Sequence, residues 1–522
     1  MWKISIILSF GFLLRILGIN WDGGAHLHPD ERMLMMVADK IHFFDNLNPE
    51  FFNYGSLPIY ILKGVGQITD WIFKTNYSMY GEMLYLGRFL SVLADVGVIF
   101  LIYKIAKLLF KRENVALLSS FFYSVAFFPI QNSHFFIVDT FLNLFLILLL
   151  YYSLLYFKKP DKNKLIILSI IFAACMTTKF TAVIFAPLLA FVIFYKSKKK
   201  LLNLFLFTSS FLLFTFLFMP YMFLEMGNFL KDVSLQLELN NNPYIFPYTL
   251  QYVGTTPYLY YLKNIFFFGF GPVISVLSII GGIYFFKDLS EKKVQLKPLK
   301  IIFFAFFIFY FIVIGNSSVK FMRYMLPVYP FLVILAAYNA LKPKKLHLRG
   351  VIIMACLAVI WTFLFLNIYT KEHTRTTASK WIVENIPNGA TLAVEHWDDR
   401  LPIFNGENYK FEELQLYNQP DNEEKWFDIK NILERSDYII IASNRLYVPI
   451  QTLASCEKFD VCFPITSFYY QRLFAGELDF KKVAEFTSYP NIYGFEFKDD
   501  WADESFTVYD HPKVMIFKKE KL

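Results

Sequence analysis

Two adjacent carboxylates, Asp30 and Glu31, follow His28 and Pro29 just beyond the first apolar segment of the chain. A carboxylate held where a spanning segment meets the surface can take a proton from a hydroxyl while the tail of a reactant stays in lipid. Pro29 restricts His28 to extended geometry, so His28 reads either as a substrate contact or as an exposed residue of a fixed loop. Other polar groups stand at the ends of apolar tracts: Arg88, with Glu82 ahead of it, His134 and Asp139, Lys179, and Lys320, Arg323 and Tyr324. Charges in or beside such tracts are costly, and each demands a reason. Cations at the level of a carboxylate suit a phosphate leaving group, because they stabilise the charge that develops on it. Arg matches phosphate with a forked set of donors. The plain alternative for each lone cation is snorkelling to headgroups, and for Asp139 it is pairing with a neighbouring helix. Asp30, Glu31 and Asp139 are thus candidate catalytic acids. His28, Arg88, His134, Lys179, Arg323 and Tyr324 are candidate substrate contacts. Asp95 alone lies deep within a tract.

These residues must be positioned by membrane helices. Of 522 residues, 56% are hydrophobic and only 18% charged, too few for the surface of a soluble protein of this length. Apolar tracts suited to crossing a bilayer recur up to about residue 370. They fall at 2–20, 84–103, 113–130, 136–157, 165–177, 180–195, 202–224, 265–286, 300–316, 324–341 and 350–369. The first reads as a retained signal anchor, since no small-residue cleavage pattern follows it.

Alternate loops carry 21 basic residues: Lys104/Lys107/Lys111/Arg112, Lys158/Lys159/Lys162/Lys164, Lys196/Lys198/Lys199/Lys200, Lys287/Lys292/Lys293/Lys297/Lys300 and Lys342/Lys344/Lys345/Arg349. The positive-inside bias puts all of them in the cytoplasm. Eleven spans then leave loops 21–83 and 225–264, and everything after 370, on the outside. Residues 371–522 hold 18 Lys and Arg against 26 Asp and Glu, so the first 370 carry +16 of a chain whose total is +8. Positive charge confined to short loops follows membrane topology and argues against nucleic acid as a partner; membrane lipids are the expected surroundings.

Within the first loop, 58–73 reads as a helix lying in the interface. The loop 225–264 either covers a cavity near the surface or is simply packed. Beyond residue 370 an α+β or α/β domain is expected, with a helix over 378–386 and strands at 391–394, 438–442 and 514–517. Cys456 and Cys462 could pair in an oxidising compartment; Cys175 and Cys356 read as core residues.

The segments His28-Pro29-Asp30-Glu31, Asn53-Tyr54-Gly55-Ser56-Leu57-Pro58, Gly87-Arg88-Phe89, His134 to Asp139, Thr178-Lys179-Phe180-Thr181 and Arg323 to Pro330 occur in this order. Together they resemble the prokaryotic protein-mannosyltransferase-like, lipid-phosphate-sugar-dependent glycosyltransferases of the GT-C superfamily. The resemblance covers about residues 1–370. It implies an α-helical multi-pass membrane protein with the GT-C fold, inversion at the anomeric carbon, and an acidic catalytic residue in the first external loop. Carried over, Asp30 becomes the base and Glu31 its neighbour. Asp139 becomes the second acidic position, near the acceptor or, in some members, a metal. Arg88, Lys179 and Arg323 become ligands of the donor phosphate or supports of the acids.

The expected reaction moves a sugar from a polyprenyl-phosphate donor to a hydroxyl of a lipid, glycan or protein. No cofactor is expected to be required, because fixed cations can replace a divalent metal, though a divalent ion remains possible chemistry for the acids. The rival classes are a transporter or flippase of lipid-linked sugars, which would place polar groups at mid-membrane, and a non-catalytic membrane binding protein, which leaves the acids unexplained.

Overall fold

The computed structural model describes residues 2–291, 296–342 and 348–520. Lys292, Lys293, Lys344 and Lys345 of the basic loops lie outside them. The chain divides into two compact units, one of residues 1–20, 28–238 and 256–363, the other of 21–27, 239–255 and 364–522.

The first unit is helical, and each of the eleven apolar tracts forms a helix or a broken helix. The expected count of eleven spans does not survive. Among the described residues, six helices can cross a bilayer by length and composition: Tyr80–Phe110, Val138–Lys158, Lys200–Phe218, Pro272–Ser290, Lys297–Gly315 and the one beginning at Leu348. A seventh span results if Glu113–Ser124 and Phe127–Ser133, bent by 58°, are counted as one. The physical reason is interruption. Trp2–Ile16 and Lys162–Met176 have 15 residues each, about 22 Å of rise against a hydrocarbon core of about 30 Å. Phe180–Lys196 begins with a 3-10 turn over Phe180–Phe185. Met322–Val328 is likewise 3-10 and holds Pro327. Pro129 causes the bend at residue 125, because it has no N–H for the Val125 carbonyl. The Thr362 hydroxyl donates to that carbonyl instead. With six or seven spans the parity of eleven no longer fixes the side of the C-terminal domain.

Both long loops contain helices. Pro29–Asp39 and Leu57–Phe73 lie in the first. The second opens with the 16-residue helix Met226–Asn241. The two loops are joined where Asp232 accepts from the Phe52 N–H at 3.2 Å. Leu34, Met35, Ile41, Ile59, Leu62, Met83, Leu84 and Phe136 form a core beneath the first loop. Cys356, expected in a core, is exposed, whereas Cys175 is buried.

The second unit is built on a five-stranded sheet in the order β2-β1-β3-β7-β4. Its strands are β1 (Thr391–Glu395), β2 (Lys410–Leu414), β3 (Tyr438–Ile441), β4 (Phe480–Phe486) and β7 (Val514–Lys519). A separate ribbon pairs β5 (Asn491–Ile492) with β6 (Phe495–Glu496). β1 runs parallel to β2 and β3, while β7 is antiparallel to β3 and to β4. Alternate residues of β1 and β3 fill two cores. Leu392, Val394, Tyr438 and Ile440 pack with helix Thr374–Asn385 on one face. Ala393, Ile439 and Ile441 pack with helices Glu423–Arg435 and Pro464–Ala475 on the other. Cys456 and Cys462 form a disulfide with Cα atoms 5.1 Å apart.

Candidate functional site

The site in the first unit begins with a helix N-terminus. His28 caps Pro29–Asp39: its Nδ1 accepts from the Glu31 N–H at 3.4 Å and its ring packs 4.7 Å from Phe135. The cap puts Asp30 and Glu31 in the first helical turn, where consecutive side chains diverge by about 100°. The two expected as one acidic pair therefore serve different partners. Glu31 points inward. Arg88 donates to it through both arms, Nε to Oε1 at 3.0 Å and Nη2 to Oε2 at 2.8 Å, and both side chains are fully buried. Oε1 also accepts from the Phe136 N–H at 2.9 Å. Gly87 makes this possible, since a Cβ there would meet the Phe136 ring at 2.8 Å.

Asp30 points elsewhere and keeps 26% of its side chain exposed. Arg323 Nη2 lies 2.9 Å from its Oδ2, and Arg323 Nε lies 3.5 Å from Asp139 Oδ2. Lys179 Nζ donates to Asp139 Oδ1 at 2.7 Å and sits 4.1 Å from the centre of the Tyr324 ring and 5.9 Å from that of Tyr54. Asp30, Arg323, Asp139 and Lys179 thus alternate in sign along one chain of ion pairs. Asp139 is 3% exposed. Burial, and then the Asp30 carboxylate, push the Tyr54 phenol well above its ordinary pKa, so Tyr54 is a neutral wall of the site.

Local sequence explains the placement of Lys179. The Gly55 N–H donates to the Thr178 carbonyl at 3.1 Å and the Leu57 N–H to that of Thr177 at 3.0 Å. A Cβ on Gly55 would fall 1.9 Å from the Thr177 oxygen, so only glycine permits the approach. The Asn53–Pro58 segment is thereby laid on the turn that carries Lys179. Thr177 and Thr178 donate to the Ala173 and Ala174 carbonyls at the end of the preceding helix.

Not every sequence candidate joins this chain. His134 is buried with Nδ1 2.8 Å from the Ile130 carbonyl and Nε2 2.7 Å from that of Leu17. It ties two helices together, and both its nitrogens are engaged on backbone. Asp95 is paired with a charge from another tract. Arg15 Nε meets its Oδ2 at 2.7 Å and the Tyr123 hydroxyl donates to its Oδ1 at 2.6 Å. Arg15 was the signal for this pair: a second charge in an apolar tract, needing a partner.

Lys320 stands apart from the other cations. It is 3% exposed, donates to the Ser318 carbonyl at 3.0 Å, and has no carboxylate partner among the described residues. Burial alone pulls its pKa down from the ordinary value. Arg88, Lys179 and Arg323, by contrast, each face a carboxylate. Among the described residues no three His, Cys, Asp or Glu side chains converge as metal ligands do. Asp30 and Asp139, the acids that share a partner, share a guanidinium.

Residues 66–223 match the family of dolichyl-phosphate-mannose-protein mannosyltransferases. No curated protein matches the chain. Among solved structures, the apo oligosaccharyltransferase of Archaeoglobus fulgidus is similar at 13% identity and a TM-score of 0.50, over 95% of this chain and 75% of that one. ArnT from Cupriavidus metallidurans, bound to undecaprenyl phosphate, is similar at 13% identity and a TM-score of 0.50, over 84% of this chain and 92% of that one. At such identity these two share a fold. The family match covers the segment that holds Arg88, Asp139 and Lys179, and over it the chain is similar to the dolichyl-phosphate-mannose-protein mannosyltransferases; the whole chain is a multi-helix membrane protein with the GT-C fold.

Proposed function

We propose that the chain is an inverting glycosyltransferase that moves a sugar from a polyprenyl-phosphate donor to an acceptor hydroxyl at the outer face of a bacterial or archaeal cytoplasmic membrane. The observation that carries this reading is the difference among three acids. Glu31 and Asp139 are buried and held by cations, whereas Asp30 keeps an exposed edge while Arg323 fixes its direction. A base must be reachable by the proton it takes, and of the three Asp30 is the one that is.

In the proposed reaction the acceptor hydroxyl loses its proton to Asp30 as its oxygen attacks the anomeric carbon. The bond from that carbon to the phosphate oxygen breaks, the configuration inverts, and polyprenyl phosphate departs with the electron pair. Lys320 faces the phosphate and stabilises the charge it gains. Asp139 and Lys179 keep Arg323 in place, and Glu31 with Arg88 anchors the helix that presents Asp30. His28 acts as the cap of that helix, and Tyr324 as the ring beneath Lys179. Fold-sharing with a structure bound to undecaprenyl phosphate supports a donor of this class. Residues 1–370 form the transferase module and 371–522 an extracytoplasmic domain, as the charge of the short loops favours.

The test is turnover of purified protein with a panel of polyprenyl-phosphate sugars, followed as release of polyprenyl phosphate. Wild type is expected to release it from at least one donor and the Asp30→Asn variant not to. Equal release by both would overturn the assignment of the base, and release from no member of the panel the donor class.

A further inference from the structure

The second unit carries an aromatic ribbon that the transfer reading does not use. β5 and β6 pair Asn491 with Glu496 and Ile492 with Phe495, and Tyr493 and Gly494 form the turn between them. Both turn residues have positive φ, +47° and +85°, the geometry of a tight hairpin turn in which Asn-Gly is the ordinary choice. A bulky side chain is strained in such a backbone, so a tyrosine there demands a reason. Tyr493 is fully exposed, Phe495 is 63% exposed and Ile492 is half-buried. Among the described residues nothing lies within 4 Å of the place a Cβ on Gly494 would take. The tip thus projects into open space with three apolar side chains on it.

The ribbon is rooted on the end of a membrane helix. Leu348–Leu366 is long and apolar enough to cross a bilayer. Its outward residues Ile360 and Phe363 are exposed, as a lipid-facing side requires, whereas Leu364, Phe365 and Leu366 belong to the second unit and are buried. Phe365 packs 5.7 Å from Phe497 and 5.8 Å from Phe506. The Phe497 N–H donates to the Pro490 carbonyl at 2.9 Å and closes the root of the ribbon. Beyond the helix, Asn367–Thr370 packs against β5, and Lys371 donates to the Tyr489 carbonyl at 3.4 Å. These contacts hold the ribbon where the helix leaves the bilayer, and strands of two residues keep its tip within about 7 Å of that level. Trp501, 41% exposed, lies 6.2 Å from Phe497 in the same cluster. Tyr and Trp at the point where an apolar helix emerges are what a membrane–water interface selects. A second copy of the chain is a poor occupant, since a stable interface takes about 800 Å2 from each partner, far more than the tip of one ribbon. A polar ligand would find only the Tyr493 phenol there. Lipid accepts both parts, the rings at the acyl boundary and the phenol among headgroups.

We infer that the β5–β6 ribbon dips into the lipid–water interface and fixes the C-terminal domain on the bilayer. This role depends neither on the transfer reading nor on which face of the membrane carries the domain. The test uses the full chain in phosphatidylcholine nanodiscs with a nitroxide on Tyr493→Cys. The background is Cys356→Ser, because Cys356 is exposed while Cys175 is buried and Cys456 is bonded to Cys462. A label on Glu434→Cys is the aqueous reference: Glu434 is exposed and lies by Lys519, at the opposite end of β7 from the Lys513–Asp500 pair. The ratio of collisions with oxygen to collisions with a water-soluble nickel chelate should be several-fold higher at 493 than at 434, as for a side chain about 5–10 Å into the interface. A label on Lys498→Cys, at the root, should fall between them. Adding Phe495→Ser to the Tyr493→Cys protein should shift its label toward water. Tyr493 and Phe495 are exposed side chains, so these variants should melt as the parent does. A label at 493 as wet as that at 434, one shielded from both reagents as in a protein contact, or one indifferent to Phe495→Ser would each overturn the assignment.

Discussion

Arg323, near the end of the first unit's sequence, reaches two carboxylates of its first half: its Nη2 is 2.9 Å from Asp30 and its Nε 3.5 Å from Asp139. One guanidinium thereby sets the distance between the exposed acid and the buried one. A lysine has one ammonium point and cannot hold both, because the fork of Arg supplies donors in two directions.

Replacing Asp30 by Asn keeps the size of the side chain and a hydrogen bond to Arg323 but removes the base. Turnover is expected to fall about 100- to 10,000-fold, the range for loss of a general base, with thermal unfolding close to that of wild type. Steady-state rates at saturating donor, paired with a melting curve, give the result. A variant that turns over normally would move the base to another group.

Glu31 and Arg88 predict the opposite signature. Glu31→Ala leaves a buried guanidinium unpaired, which costs about 3–5 kcal/mol, so the melting temperature should drop and activity should fall with it. The double variant Glu31→Leu/Arg88→Met removes both charges and should recover much of that stability. If Glu31→Ala melted like wild type yet had lost turnover, Glu31 would be acting in the chemistry.

Lys320 is expected to act on the donor. Lys320→Ala should raise the KM for the polyprenyl-phosphate sugar about tenfold or more, while Lys320→Arg restores most of it, since a charged hydrogen bond contributes about 1.5–3 kcal/mol. Kinetics over a range of donor concentration separate this from a general loss of kcat. Unchanged donor affinity would place the phosphate elsewhere.

Chelation offers a test of the charge arrangement. Because Arg323 and Lys179 already neutralise Asp30 and Asp139, prolonged dialysis against EDTA is expected to leave turnover within about twofold, the scatter of context-dependent effects. Loss of activity that a divalent ion restores would show that the acids hold a metal during the reaction.

Glu395 gives the C-terminal domain a pH dependence. Burial pushes its carboxyl from the ordinary 4.5 up to about 8, against the opposing hydrogen bond from Tyr470. The folded state therefore binds this proton more tightly than the unfolded one. Its stabilising share is complete below about pH 4.5 and is lost as pH rises through 8. Proteolysis or melting of this domain across pH 5 to 8.5 should show falling stability, and Glu395→Gln should flatten that slope.

Several features follow from the sequence without any tertiary information. Apolar tracts and basic loops give the multi-pass helical module, because crossing a bilayer is a matter of length and apolarity. The apolar runs at Thr391–Glu395, Tyr438–Ile441 and Val514–Lys519 are strands, as their composition requires. Lys410–Leu414 and Phe480–Phe486 escaped the same reading because they are the two edges of the sheet, where half-exposed strands carry Lys and Glu and show no apolar run.

The tertiary structure decided what pattern cannot express. Sequence identified Asp30 and Glu31 as one pair; the helix turned them apart, so that one is sealed against Arg88 and the other faces Arg323. It supplied Arg15 to Asp95 and engaged His134 on backbone carbonyls. It also shortened or bent the tracts whose breaks reduce eleven expected spans to six or seven. Composition determines which residues must avoid water. Which cation meets which acid depends on the rotation and crossing of helices far apart in the chain, and that is fixed only when they pack.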